Sequence, residues 1–434
     1  MTPVETGILG IILLLFMFFL GMPVSFSMAF IGWIGYCYLV SPEAGSKLLI
    51  RDIFTMFSSY PLSVIAAFVL MGNYAFASGI SEKLYKTAYD IFGHLKGGLT
   101  VATVATSAGF AAVCGSTSAT VATIGKIALP EMKRYRYDDT LATGCIATSA
   151  TLGILIPPST IFIVYGILTE QSIGKLFIAG VIPGIILAIL LSLTTILICH
   201  LKPGLGPPGP KTSWKRKIVA LTGISEAIIL FGLTMGGLFA GWFTPTQAGS
   251  IGAAGALLIG LAKRKITWKA FILATKDGVL TSCMILFLIT GATVFGHFMA
   301  ITRIPFLMVN SVRNLPLSPA AILSLICFFY IIGGCFMDAM ALVVLTVPFV
   351  YPVILRLGYN PIWFGVIIVL VSELGVVTPP VGVNVYVLKG IAPDISLETI
   401  FKGVMPFLGA IILTLIILIS FPELATFLTK YVRW

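Results

Sequence analysis

The 434 residues are 58% hydrophobic and 10% charged, and apolar runs of about 20 residues recur from end to end, long enough to cross a hydrocarbon core roughly 30 Å thick. That balance excludes a soluble globular domain and points to a polytopic membrane protein lying in contact with lipid. The net charge of +11 falls in short loops between apolar runs, where the positive-inside rule accounts for it and no nucleic-acid partner is called for.

The opening stretch, "MTPVETGILGIILLLFMFFLGMPV", lacks a basic leader and an A-x-A cleavage site, so it reads as a membrane anchor and not a removable signal. It breaks at Gly21-Met22-Pro23 into two short spans, and residues 1–61 form N-terminal scaffold spans. With 44 Gly and 24 Pro spread along the chain, further spans are expected to be interrupted, which lipid tolerates only where protein or a wet cavity satisfies the freed backbone. Cys37, Cys114, Cys145, Cys199, Cys283, Cys327 and Cys335 lie in or beside apolar segments without paired spacing. They read as small buried hydrophobes, not disulfides or zinc ligands.

Five loops, 81–96, 126–139, 200–217, 263–276 and 389–402, hold 19 of the 27 Lys and Arg residues, which assigns them to the cytoplasm. Residues 97–125 lie between two of them. A single crossing would put one basic loop outside, so this segment is expected to enter the membrane and return, with Gly115-Ser116-Thr117-Ser118 as a polar tip at mid-membrane. Backbone that is not helical at that depth must line a cavity or contact protein.

The chain also repeats itself. Residues 153–184, "GILIPPSTIFIVYGILTEQSIGKLFIAGVIPG", overlay residues 375–409, "GVVTPPVGVNVYVLKGIAPDISLETIFKGVMPFLG". Both run from a Gly to a Pro-Pro and on to a Gly-Val-x-Pro. Upstream, "IIGGCFMDAMALVVLTVPFVYPV" at 331–353 takes the place of the first polar tip, with Gly115 set 38 residues before Gly153 and Gly334 set 41 before Gly375. Repeat 1 thus covers 62–199, with hairpin 97–125 and broken helix 140–168. Residues 200–217 are a Pro/Gly-rich cytoplasmic linker. Repeat 2 covers 218–434, with hairpin 314–355 and broken helix 361–388. Five crossings, at 140–168, 176–199, 218–238, 247–262 and 277–297, bring the chain to the second hairpin from the outside. The repeats are therefore inverted, the architecture of secondary transporters with discontinuous helices and mid-membrane sites.

A hairpin tip exposes helix ends: free N–H groups suit an anion and free carbonyls a cation. Each Pro-Pro break frees a carbonyl in the same way. Oxygens from Ser116, Thr117, Gly153, Ile156 and Pro158 are expected to form one sodium site, and those of Gly334, Gly375, Thr378 and Val381 a second. Asp338, an acid inside an apolar run, is the foremost candidate for a role in the transport site, together with Ser118, Asn384 and Arg303. Glu373 is balanced between stabilising the broken helix and tuning an ion site, and Glu226 reads as a packing residue. Arg303 and Arg313 precede the second hairpin on the outer side, where an anion could pair with either, although a snorkelling arginine has the same pattern. His297 reads as a satisfied polar group near a helix end. His94 and His200 carry no visible role.

The paired "CGSTSAT … GILIPP" and "GGCFMDAM … GVVTPP" elements, with "GWFTPTQAG" at 241–249 and "LGMPVSF" near the start, resemble the large membrane subunit of tripartite ATP-independent periplasmic (TRAP) transporters, the DctM-like family, over essentially the whole chain. The resemblance implies an all-α polytopic fold in the bacterial inner membrane and an elevator mechanism, in which a transport domain of hairpins and broken helices slides against a scaffold. It implies sodium-coupled uptake of an organic acid anion with Na+ as coupling ion and no other cofactor or transition metal. It also implies two partners: a small four-helix membrane subunit, expected as a separate chain, and a periplasmic substrate-binding protein. A self-sufficient sodium- or proton-coupled anion transporter of the same superfamily is the alternative. A hydrolase is disfavoured because G-x-S-G, H-E-x-x-H and G-x-G-D are absent from the sequence, and a channel because two inverted, non-identical hairpins in one chain do not make a ring.

Overall fold

The computed structural model describes residues 1–210, 212–314 and 316–431, without the side chains of 311–314. Among the described residues the chain is entirely helical, and six helices are long and apolar enough to cross a membrane, eight if two bent pairs are each one span. Helices α1 (Pro3–Phe19) and α2 (Val24–Leu39) meet at Gly21, whose φ of +78° makes the turn. Helix α3 (Pro42–Phe57) follows, capped by Ser41.

The first repeat opens with a broken pair, α4 (Ser63–Ala77) and α5 (Ile80–Phe92), bent by 63° at Gly79. Residues 81–96, expected as a loop, are thus mostly helix. The basic residues of α5 lie on one face of an amphipathic helix, and its apolar residues Leu84 and Tyr85 are buried. Hairpin 1 is α6 (Gly98–Cys114) and α7 (Thr117–Arg134). It runs nine residues past the expected end at 125, because Lys126, Lys133 and Arg134 ride on the helix and do not begin a loop. Helix α8 (Asp139–Leu155) and α9 (Thr160–Thr169) form the broken helix, bent by 42° across Pro157-Pro158. Then α10 (Ile173–Leu201) leads to the linker, which is shorter than 200–217 because α10 reaches Leu201 and α11 (Trp214–Phe239) starts at Trp214. The linker is docked: Gly97 N–H donates to the Gly206 carbonyl at 2.9 Å and Gly209 N–H to that of Gly93 at 2.8 Å.

After α12 (Pro245–Ala262) the second repeat mirrors the first. Helix α13 (Trp268–Thr302) and α14 (Ile304–Asn314) meet at Arg303, in the left-handed region at φ +58°. Hairpin 2 is α15 (Pro319–Phe336) and α16 (Ala339–Arg356), and the segment expected from 314 includes the end of the separate α14. Helix α17 (Pro361–Val377), a break at 378–382, α18 (Val383–Ile391) and α19 (Leu397–Ser420) complete it.

Capping residues fix the register between the repeats. Ser116 caps α7 and Asp338 caps α16, Asp138 caps α8 and Asn360 caps α17, and the two Pro-Pro pairs follow, all 222 positions apart. The tip that corresponds to Gly115-Ser116 is therefore Met337-Asp338. The expected pairing of Gly115 with Gly334 is corrected: Gly334 lies within the last turn of α15, and its glycine serves a helix crossing instead of the tip.

Packing groups the helices into two bodies bridged by α5, which lies along α6 of hairpin 1. Helix α13 lies along α2, α3 and α4, and α12 lies along α4. The hairpins and broken helices pack on one another, with α8 against α19, α15 against α17 and α7 against α18. The α8–α19 crossing brings Gly144 and Gly403 backbone to backbone, and a Cβ on either would overlap the other helix. Glu226 of α11 joins Lys83 of α5 at 2.6 Å and Lys263, just past α12, at 2.5 Å, which ties α5 to α11 and the end of α12. His297 of α13 faces the buried Asp52 of α3 at 3.2 Å. Five of the seven cysteines are buried, and Cys37 and Cys283 are half-buried.

Candidate functional site

Helix caps build both tips. The Ser116 hydroxyl accepts from the Ala119 N–H at 3.4 Å, and an Asp338 carboxylate oxygen accepts from the Met340 N–H at 3.0 Å. A small polar cap suits a buried helix start because it satisfies N–H groups that no preceding turn can reach. The two tips meet at one cavity of about 440 Å³, lined by Ser116, Thr117, Ser118, Asp338 and Glu373, and by α4 and α13 of the other body.

The structure brings the first expected group together. A Cβ on Gly153 would sit 2.9 Å from the Ser116 carbonyl oxygen and 2.6 Å from Thr120 Oγ1, and one on Gly115 would sit 2.7 Å from the Pro158 carbonyl oxygen. Gly153 is thus the place where the hairpin tip presses on the broken helix. The Gly115 carbonyl accepts from Thr160 N–H at 3.3 Å and Thr160 Oγ1 at 2.9 Å. The Ser116 carbonyl accepts from Thr120 Oγ1 at 2.7 Å. Ile156 ends α8 with an extended backbone, its side chain packed on Gly184. Thr117 turns away from this group and donates to Glu373 Oε1 of the other repeat at 3.0 Å.

The second group closes similarly. Gly334 and Gly375 touch, since a Cβ on Gly375 would sit 2.6 Å from the Gly334 Cα and 2.7 Å from the Ile331 carbonyl oxygen. Thr378 N–H donates to the Gly375 carbonyl at 2.9 Å, and its hydroxyl donates to that of Leu374 at 2.5 Å. Val381 is half-buried in the break, where the next residue, Gly382, donates its N–H to the Cys335 carbonyl at 3.3 Å. Each break is thus pinned to the first arm of its hairpin.

The remaining candidates separate. Ser118 and Asp338 line the cavity. Asn384 does not: it is fully buried, with its amide nitrogen 3.5 Å from the Ala147 carbonyl of repeat 1. Arg303 lines a different cavity with Gly296, Pro348 and Phe349, and the Arg313 side chain lies outside the described residues. Lys126, Asp277, Asn73 and Thr160 line the central cavity without having been singled out. Thr160 was legible as a hydroxyl just past the Pro-Pro. Lys126 reads in sequence as the start of a loop, because a charge after an apolar run commonly marks the end of a span. Glu373 Oε2 and Asn384 Oδ1 are buried and have no hydrogen-bond partner among the described residues. Carboxyl, hydroxyl and backbone oxygens dominate both tips, a donor set suited to a hard cation.

Comparison with known proteins agrees with this arrangement. The chain is 32% identical over 396 residues to the C4-dicarboxylate TRAP transporter large permease protein DctM of Pseudomonas aeruginosa, covering 91% of each chain. It is 30% identical over 413 residues to the sialic acid TRAP transporter large permease protein SiaM of Vibrio cholerae, covering 95% of this chain and 96% of that one. The fold matches the crystal structure of the YdaH transporter of Alcanivorax borkumensis, reported to have an unusual topology, with a TM-score of 0.65 at 14% identity over 88% of this chain and 90% of that one. The family model of the tripartite ATP-independent periplasmic transporter, DctM component, matches residues 11–424. The paired hairpins, the paired breaks and this match over nearly the full length together identify the chain as a member of the DctM component family of TRAP transporters.

Proposed function

We propose that this permease moves an organic acid anion into the cell together with Na+, by sliding the body of hairpins and broken helices against the scaffold. The observation that carries this reading is the meeting of both hairpin tips, Ser116 and Asp338, in one cavity at the boundary between the two bodies. One wall of that cavity belongs to the helices that would move and the other to α4 and α13, the arrangement alternating access needs. The oxygens around Ser116, Gly153 and Pro158, and those around Gly334, Gly375, Thr378 and Val381, are the two proposed sodium sites. The relatives named above carry C4-dicarboxylates and sialic acid, both organic acids. A small membrane subunit and a periplasmic substrate-binding protein are the proposed partners.

Energetics favour cation coupling. Bringing one negative charge inward against 100 mV costs about 2.3 kcal/mol, and each Na+ recovers as much. Uptake into proteoliposomes under Na+ or K+ gradients, with and without a binding protein, tests the reading. Accumulation of the acid only under inward Na+ supports it, and equal accumulation under K+ refutes it.

A further inference from the structure

The central cavity continues away from the tips along three helices. Ala119, Ala122 and Lys126 follow one stripe of α7, opposite Asn73 of α4 and Asp277 of α13. At 1.5 Å per residue Lys126 stands about 15 Å along α7 from Ser116. Helical side chains lean toward the N-terminus of their helix, which aims Lys126 back toward the tip. Among the described residues Lys126 is the one cationic side chain lining this cavity, against the carboxyl groups of Asp277, Asp338 and Glu373. No ion pair among the described residues engages it. The Lys126 side chain is exposed, so its ammonium is open to an anion in the cavity.

We infer that Lys126 holds the acid group of the transported anion, so that the substrate is an organic anion gripped through a single carboxylate or sulfonate. This rests on the transporter reading above and adds the residue that selects the substrate. Lys126 sits on hairpin 1 and would travel with the anion, whereas Asp277 stays with the scaffold.

The test uses the permease assembled with its partner subunits in proteoliposomes, with succinate, isethionate and N-acetylneuraminate as probes. For the acid that the unaltered protein takes up, Lys126→Gln should raise the half-saturating concentration by at least about tenfold. Lys126→Arg should recover most of the loss, with half-saturating Na+ and melting temperature unchanged in both variants. An unchanged half-saturating acid concentration in Lys126→Gln overturns the inference. So does recovery of Lys126→Asp by Asp277→Lys, which would make the two charges a latch between the bodies and not a substrate contact. Uptake by the unaltered protein that ignores Na+ would instead defeat the coupling reading, while the effect of Lys126→Gln on the acid would remain measurable.

Discussion

Thr117 and Glu373 form one of the hydrogen bonds that join the two repeats. Their bond, at 3.0 Å, joins the tip of hairpin 1 to the broken helix of repeat 2, and Glu373 is only 2% exposed. Removing the donor leaves a buried carboxyl group short of its partner, a cost of about 1–3 kcal/mol. Thr117→Val should therefore lower the thermal midpoint in detergent, whereas Thr117→Ser should hold it; equal midpoints for Val and Ser would exclude a role for the bond. Ser116 and Thr378 differ in how their hydroxyls are used, one capping a helix and the other bonding the Leu374 carbonyl. If each also reaches a sodium ion, Ser116→Ala and Thr378→Ala will each raise the half-saturating Na+ of uptake. Unchanged Na+ dependence in both would reject the two sites.

Elements meet here through glycine. At Gly375 an added methyl would press on the Gly334 Cα and the Ile331 carbonyl, and overpacking of that kind costs about 1–3 kcal/mol. Gly375→Ala is expected to destabilise the protein and abolish uptake, while Gly390→Ala, which would meet nothing within 4 Å, is expected to preserve both. The two breaks were legible because Pro-Pro interrupts an apolar run in any context, and the first tip because hydroxyls interrupt one as well. The second tip was misplaced because its cap is Asp338, and only the cap geometry, not the pattern of glycines, aligns it with Ser116. Helices α5 and the end of α7 were read as loops for a common reason: lysines on one helix face look like a solvent-exposed turn when only charge is counted.

Between α18 and α19, Asp394 pairs with Lys133 at the foot of hairpin 1. The Lys133 ammonium holds the Asp394 carboxyl below its ordinary value, first through its hydrogen bond, with the Asp394 backbone N–H and then charge attraction adding to it. A group lowered on folding stabilises the folded state above its unfolded value and loses that contribution as pH falls through the lowered one. In a series of melting temperatures from neutral to acid pH, Asp394→Asn should lie below the unaltered protein at neutral pH and converge with it in acid. A constant gap across the series would contradict the pairing.

At the scale of the molecule, this is a multi-pass inner-membrane permease built of two bodies. Lys83–Glu226–Lys263 ties the bridging α5 to α11 and the end of α12, and the Gly144–Gly403 crossing locks α8 to α19. Two sodium ions only cancel the charge of a dianion, at about 2.3 kcal/mol per charge for 100 mV. For the membrane potential to drive uptake, more than two Na+ per dianion, or at least two for a monoanion, are expected from flux ratios at imposed potentials. One Na+ per accumulated dianion would contradict this.

The most direct test of the sliding mechanism is a cross-link across the central cavity. Ala122 of α7 and Met284 of α13 both line it, one on each body. With the native cysteines replaced, the Ala122→Cys, Met284→Cys protein should lose Na+-driven uptake when the two thiols are bridged by a bifunctional methanethiosulfonate that spans the cavity, and regain it on reduction. Undiminished uptake by fully cross-linked protein would show that hairpin 1 and the scaffold do not move past each other.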